Sequence, residues 1–309
     1  MEINPIVQNS LLRCMELTNV YVGTIIDKKN TKKMMTIFKE IYPMLVELSH
    51  LKRVKPSIDS SLDFIICSEE FKTIEELAND IAISNFLTNI RIEKVPAFNP
   101  LTKNQFQQAT KFWPCTFHED RKTKELIEGT NISKEKRRLI VNYFSILTDR
   151  EQSTRKSCCL VVDPKSESIL AISLDCSDQT DPLQHAVIVA LDMIAKLQGA
   201  GAYENLIYVK DKELKGTLTV MTDCDDKQCK SFLDEGDGAL QGYLGTDLEL
   251  YSTVEPCIMC SMALLHSRIS RLFFQKHNPL SGGLSSVFKL HTEEGLNHHF
   301  ELYQVNPNL

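Results

Sequence analysis

A chain of 309 residues, 42% hydrophobic and 25% charged, has an ordinary globular balance and enough length for two domains. Its ten cysteines are too scattered for a secreted disulfide scaffold, no apolar run approaches membrane-spanning length, and residues 1–5 lack the basic and apolar regions of a secretory leader. The net charge of −6 is uneven: residues 1–130 are balanced, residues 131–160 hold 7 Lys and Arg against 3 Asp and Glu, and residues 161–309 hold 11 against 21. A soluble intracellular protein is expected, meeting any polyanion through its first half and middle.

Tyr21 to Ile26 is rich in β-branched residues and reads as a strand. Met34, Ile37, Phe38, Ile41, Leu45 and Leu48 follow at helical spacing, with a kink or break expected at Pro43. Leu62 to Cys67 is a second strand, Thr73 opens a helix running to about Phe86, and Ile90 to Val95 is a third strand. This alternation predicts a small α/β domain over residues 1–130, with a ferredoxin-like arrangement as one candidate. Lys28, Lys29, Lys32 and Lys33 crowd the start of the first helix, where the dipole disfavours cations. Phosphate contact is one reading of them, and a solvated lysine-rich turn is the other. Trp113, the only tryptophan, reads as packing between domains, with base stacking as the alternative.

Residues 131–156 form a basic helix and linker. Ser133 opens an amphipathic helix whose polar side carries Lys134, Lys136, Arg137 and Arg138, and an RNA-backbone role competes there with a solvated face. A second domain is expected over 157–309. Cys158 to Val162 and Ser168 to Leu174 read as a hairpin, a largely buried helix follows from 183 to about 198, and Leu248 to Thr253 is a core strand before a helix opened by Pro256. Residues 199–242 read as an acidic insertion holding Cys224 and Cys229, whose spacing does not suit a zinc knuckle. Leu290 to Val305 is mostly polar and yields no single element.

His185-Ala186-Val187 and Pro256-Cys257-Ile258-Met259-Cys260 together read H-x-V…P-C-x-x-C. The zinc-deaminase signature is H-x-E…P-C-x-x-C, in which His and two Cys hold the metal and Glu moves protons. Cys257 and Cys260 are three apart on a first helical turn, so both sulfurs face one point, and the helix start favours their ionised form. His185, Cys257 and Cys260 leave a fourth zinc position open. Water is the default there, and the C-terminal carboxylate of Leu309 is the other candidate. Val187 stands where the Glu belongs and cannot accept a proton. Glu255, the nearest carboxylate, sits before the Pro-Cys turn, where a structural role is the better reading.

These residues, with the run Cys257 to Ile269, Gly282-Gly283-Leu284, Phe288 to His291 and Leu296 to Phe300, resemble the cytidine deaminase-like family over roughly residues 155–305. Within it they are most similar to the non-catalytic subunits of eukaryotic heterodimeric tRNA wobble-adenosine deaminases, in which Val at the Glu position is typical. The resemblance implies a three-layer α/β/α zinc domain, no catalytic residue of its own, and an N-terminal domain that helps bind tRNA. It further implies a catalytic partner subunit bearing the Glu, met partly through the helix from Cys257 to His266, no membrane, and residence in cytoplasm and nucleus. A self-sufficient zinc nucleoside or nucleotide deaminase and a zinc-stabilised RNA-binding scaffold are the competing expectations.

Overall fold

A computed structural model describes residues 2–57, 59, 61–178, 181–204, 206, 208–210, 217–220 and 242–307. Most of the expected insertion, with Cys224 and Cys229, lies outside the described residues, as does Leu309. The chain divides into two compact units, Asn9–Lys124 and residues 1–8 joined with Glu125–Leu309.

The Asn9–Lys124 unit is built on a four-stranded sheet in the order Val54–Pro56, Leu62–Ser68, Leu17–Ile25, Leu87–Pro96, antiparallel throughout. With the Thr31–Ile41 helix after the first strand and two short helices before the last, this is the ferredoxin-like βαββαβ order. The strand Val54–Pro56 escapes the sequence pattern because it is three residues long and ends on proline. The first helix stops at Ile41, ahead of Pro43, and Arg53 takes over its open end. The guanidinium donates to the carbonyls of Phe38 at 3.2 Å and Tyr42 at 2.5 Å. The single helix expected from Thr73 is broken into Ile74–Ala78 and Ile81–Phe86. Asp80 causes the break: its carboxylate accepts from Ala82 N at 2.8 Å and from the Tyr42 hydroxyl, starting the second helix afresh.

Strand alternation gives the sheet two apolar faces. Phe64, Tyr21 and Ile66 pack under Met34 and Phe38 of the long helix. Val20, Val22, Ile65 and Val95 pack on the other face against Leu48, Leu51 and Trp113. Trp113 is fully buried within this unit, and its Nε1 donates to Lys52 O at 2.6 Å. Neither inter-domain packing nor base stacking describes it, because indole surface and N–H are both satisfied locally.

The second unit carries an eight-stranded sheet in the order Glu2–Pro5, Glu301–Asn306, Arg271–Lys276, Glu249–Val254, Cys158–Asp163, Ser168–Leu174, Leu218–Val220, Tyr208–Lys210. Glu249–Val254, Arg271–Lys276 and Glu301–Asn306 run parallel, and Cys158–Asp163 joins them antiparallel. The Lys134–Thr154 helix covers one face through Ile140, Tyr143, Phe144 and Leu147. The Ala186–Leu197 and Ile258–Ser267 helices cover the other, completing three layers. Tyr251, Phe273 and Tyr303 stand in register on the three parallel strands, their rings stacked 4.8 and 4.9 Å apart beneath the long helix.

Two boundaries differ from the expected 1–130, 131–156 and 157–309. Residues 2–5 are an edge strand of the second sheet, paired Ile3 to Val305, so the first unit begins at Asn9. The basic helix is no linker, because its apolar face is one wall of the second core.

Candidate metal centre

Two helices start at one point. His185 is the residue immediately ahead of Ala186–Leu197, and Cys257 stands in the same place ahead of Ile258–Ser267. His185 is seated by its flanks: Cys176 N donates to Gln184 O at 2.9 Å, and the Ser173 hydroxyl donates to Ala186 O at 2.6 Å. Cys257 follows the Glu249–Val254 strand through Pro256 and forms an isolated antiparallel bridge with Gly282.

The imidazole Nδ1 of His185 lies 3.4 Å from the Cys257 sulfur and 3.6 Å from the Cys260 sulfur. The three ligand atoms all fall within 4.8 Å of one another, so His185, Cys257 and Cys260 can hold one metal ion. Among the described residues no other group of three such donors converges in this way. Cys260 is buried, and Cys257 and His185 are half-buried. The Cys257 thiol is pulled down to about 5, chiefly by its hydrogen bond with Cys260 and further by the Cys260 amide and His185. Cys260 is pushed up by the same hydrogen bond and by burial. Two sulfurs and an imidazole converging on one point are a donor set suited to a soft or borderline dication.

Val187 is 4% exposed and packs in the same core as Ala190, Val189 and Cys260. Glu255 does not replace the missing acid. Its Oε1 accepts from Leu284 N at 3.2 Å, Ser285 N at 2.6 Å and Ser286 N at 2.9 Å, while Oε2 accepts from Asn278 N at 3.1 Å and from the Ser286 hydroxyl. Burial alone would raise this carboxyl, but the Ser286 hydroxyl and the loop amides hold it below the ordinary carboxylate range. Every lone pair is committed to shaping the loop. The loop needs glycine beside it: a Cβ at Gly282 would meet the Glu255 carboxyl at 2.5 Å, and one at Gly283 would meet the Ser261 hydroxyl at 2.6 Å.

The basic residues separate into two groups. Lys28, Lys29, Lys32 and Lys33 are exposed at the start of their helix, and Lys39 lines the same surface hollow as the first three of these. Lys39 is readable from its spacing of seven from Lys32, which returns it to the same helix face. On the second helix Lys134 and Arg138 are exposed, but Lys136 and Arg137 are engaged within the unit. Lys136 Nζ lies 2.5 Å from the carboxylate of Glu249, which is 1% exposed. Arg137 donates to Gly129 O at 2.7 Å. The sequence shows four similar cations here, because the partners that distinguish them are distant in the chain.

Residues 18–113 match the family described as tRNA-specific adenosine deaminase TAD3 N-terminal domain, and residues 121–276 match the cytidine and deoxycytidylate deaminase zinc-binding region. The chain is 31% identical, over 98% of its length, to a Danio rerio protein named probable inactive tRNA-specific adenosine deaminase-like protein 3, and covers 91% of that protein. It is 27% identical to the tRNA-specific adenosine deaminase subunit tad3 of Schizosaccharomyces pombe, with 94% of this chain and 85% of that one covered. It is 24% identical to the subunit TAD3 of Saccharomyces cerevisiae, with 97% and 90% covered.

Proposed function

This chain belongs to the TAD3 family of inactive tRNA-specific adenosine deaminase-like proteins, and on that premise we propose that it is the catalytically silent, zinc-holding subunit of a deaminase converting wobble adenosine to inosine in tRNA. The observation that carries this reading is the pairing of an intact ligand triad, His185, Cys257 and Cys260, with a buried valine at the proton-carrying position. Deamination needs a group that takes a proton from water and returns it to the base, help worth about 10²–10⁴-fold. Val187 has no such group, and Glu255 is spent on the Asn278 to Ser286 loop.

Zinc, when bound, supplies the charge that lets both sulfurs lose their protons and ties two helix starts together. The metal-binding residues thereby hold the shape of the domain, and a partner subunit with an intact Glu carries out the chemistry. We assign contact with the tRNA backbone to Lys28, Lys29, Lys32 and Lys33, joined by Lys134 and Arg138, whose exposure supports it.

The test is a tRNA deamination assay on the chain alone, on the co-purified deaminase partner alone and on the two together, with metal content measured by mass spectrometry. Inosine formed only when both are present, with about one zinc on this chain, supports the proposal. Robust inosine formation by this chain alone overturns it.

A further inference from the structure

Residues 6–8 run from the edge strand Glu2–Pro5 to Asn9, where the first unit begins, and all three are held by residues 289–292 of the second unit. His291 Nε2 donates to Ile6 O at 3.1 Å, Lys289 Nζ donates to Val7 O at 3.2 Å, and Gln8 Nε2 donates to Thr292 O at 3.3 Å. His291 is 4% exposed, and its Nδ1 has no hydrogen-bond partner among the described residues. Burial pushes its pKa down to about 4, so at pH 7 the ring is neutral. A carbonyl can only accept, so the single ring proton sits on Nε2. A buried ring nitrogen left unmatched is a cost that an apolar side chain would avoid, and the bond to Ile6 is what histidine supplies in return.

The same segment is joined to the metal centre without slack. Leu290 N donates to Gly283 O at 3.1 Å, and Gly283 N donates to the carbonyl of Pro256, the residue before Cys257, at 2.9 Å. Gly282 pairs with Cys257 itself in the isolated bridge. A Cβ at either glycine would meet Glu255 or Ser261 within 2.6 Å, so this backbone has no room to yield toward the Ile258–Ser267 helix. We propose that residues 6–8 are a strap on the metal centre, with His291 as its positioning residue. The grip of His291 on Ile6 fixes the 282–292 segment, and that segment fixes Cys257. The stretch that leads into the first unit thereby sets how firmly the centre keeps its metal, as outer hydrogen-bond partners of metal ligands do.

The test follows the full-length protein, without RNA or partner, by two rates. One is zinc loss to a chelator, and the other is hydrogen exchange at the amides of residues 284–286, which donate to Glu255. H291A should speed both by at least about tenfold. H291Q, whose amide can still donate to Ile6 O, should stay within about threefold of the parent chain. Ile3 packs on the other face of the sheet, in the core beneath the Lys134–Thr154 helix. I3A should therefore lower Tm while leaving both rates within about twofold. K289A, which removes the Val7 bond, should act in the same direction as H291A and serves where H291A does not fold. Rates unchanged in H291A and K289A, rates raised as much by I3A, or an H291Q chain as fast as H291A would each overturn the proposal. The zinc readout rests on the proposed metal role. Should the chain hold no zinc, exchange alone decides, so failure of the metal reading and failure of the strap are seen apart.

Discussion

The His185 imidazole and the Cys257 sulfur meet at 3.4 Å, each from the residue just ahead of its own helix. A metal there fastens two helix starts that are 72 residues apart in sequence. His185→Ala or Cys257→Ser is therefore expected to abolish zinc binding and to lower Tm by at least about 5 °C, the shift of roughly 2 kcal/mol in a domain of this size. Mass spectrometry of the metal and a melting curve with and without chelator check it. A variant that keeps its Tm while losing zinc would show the metal to be dispensable for the fold.

Restoring the missing acid is not expected to restore chemistry. Val187 packs among Ala190, Val189 and Cys260, so Val187→Glu places a carboxyl in an apolar wall. The expected outcome is no inosine from the single variant alone and a stability loss of at least about 2 kcal/mol. Strong deamination by that variant would reveal a pocket still shaped for a base.

The two lysine groups should answer differently to substitution. Lys136→Ala leaves Glu249, 1% exposed, with only Arg271 and the Tyr251 hydroxyl as partners among the described residues, and is expected to cost about 1.5–3 kcal/mol of stability. Replacing Lys28, Lys29, Lys32 and Lys33 together should leave stability within about 0.5 kcal/mol each. It should also weaken tRNA binding and flatten its salt dependence by up to about one unit of slope for each phosphate no longer neutralised. Binding isotherms at several salt concentrations, beside urea melts, separate the two effects.

Asp80 offers a pH test of the first unit. The Tyr42 hydroxyl, followed by the amide of Ala82, holds its carboxyl below the usual range. A depressed folded value contributes stability that is present above the unfolded pKa near 3.9 and is lost as pH falls through the folded value. Asp80→Asn keeps a cap but loses the charge that strengthens both hydrogen bonds, so it should be less stable than the parent chain by about 1 kcal/mol at pH 7, and the difference should vanish in strong acid. Denaturant melts from pH 7 down to 2.5 measure it. A difference that persists unchanged at pH 2.5 would mean the carboxylate charge contributes nothing.

Local chemistry makes much of this legible. Ser133 caps its helix as expected, its hydroxyl accepting from Lys136 N, and the side chains of His185, Cys257 and Cys260 converge. The ferredoxin-like order is within reach because Tyr21, Phe64 and Phe38 mark a sheet and the helix over it. What stays hidden depends on distant partners. Residues 2–5 are too short to show a period, and their strand character comes from pairing with 303–306. Glu301 to Asn306 conceals a strand because Arg271 and Asn131 satisfy the Glu301 carboxylate from elsewhere in the chain. Glu255 looks like a helix-start carboxylate, and only the folded loop shows its four amide donors.

The edge strand at residues 2–5 changes how the molecule is to be dissected. The Asn9–Lys124 unit is spliced into the second unit between residues 8 and 125, so cutting at residue 124 amputates more than one unit. A fragment starting at 125 would uncover the backbone of Glu301–Asn306 and the apolar side of Val305, an edge prone to pairing with another chain. Reconnecting residues 1–8 to 125 through a flexible linker keeps that edge sheltered, and is the excision that should leave the second sheet intact.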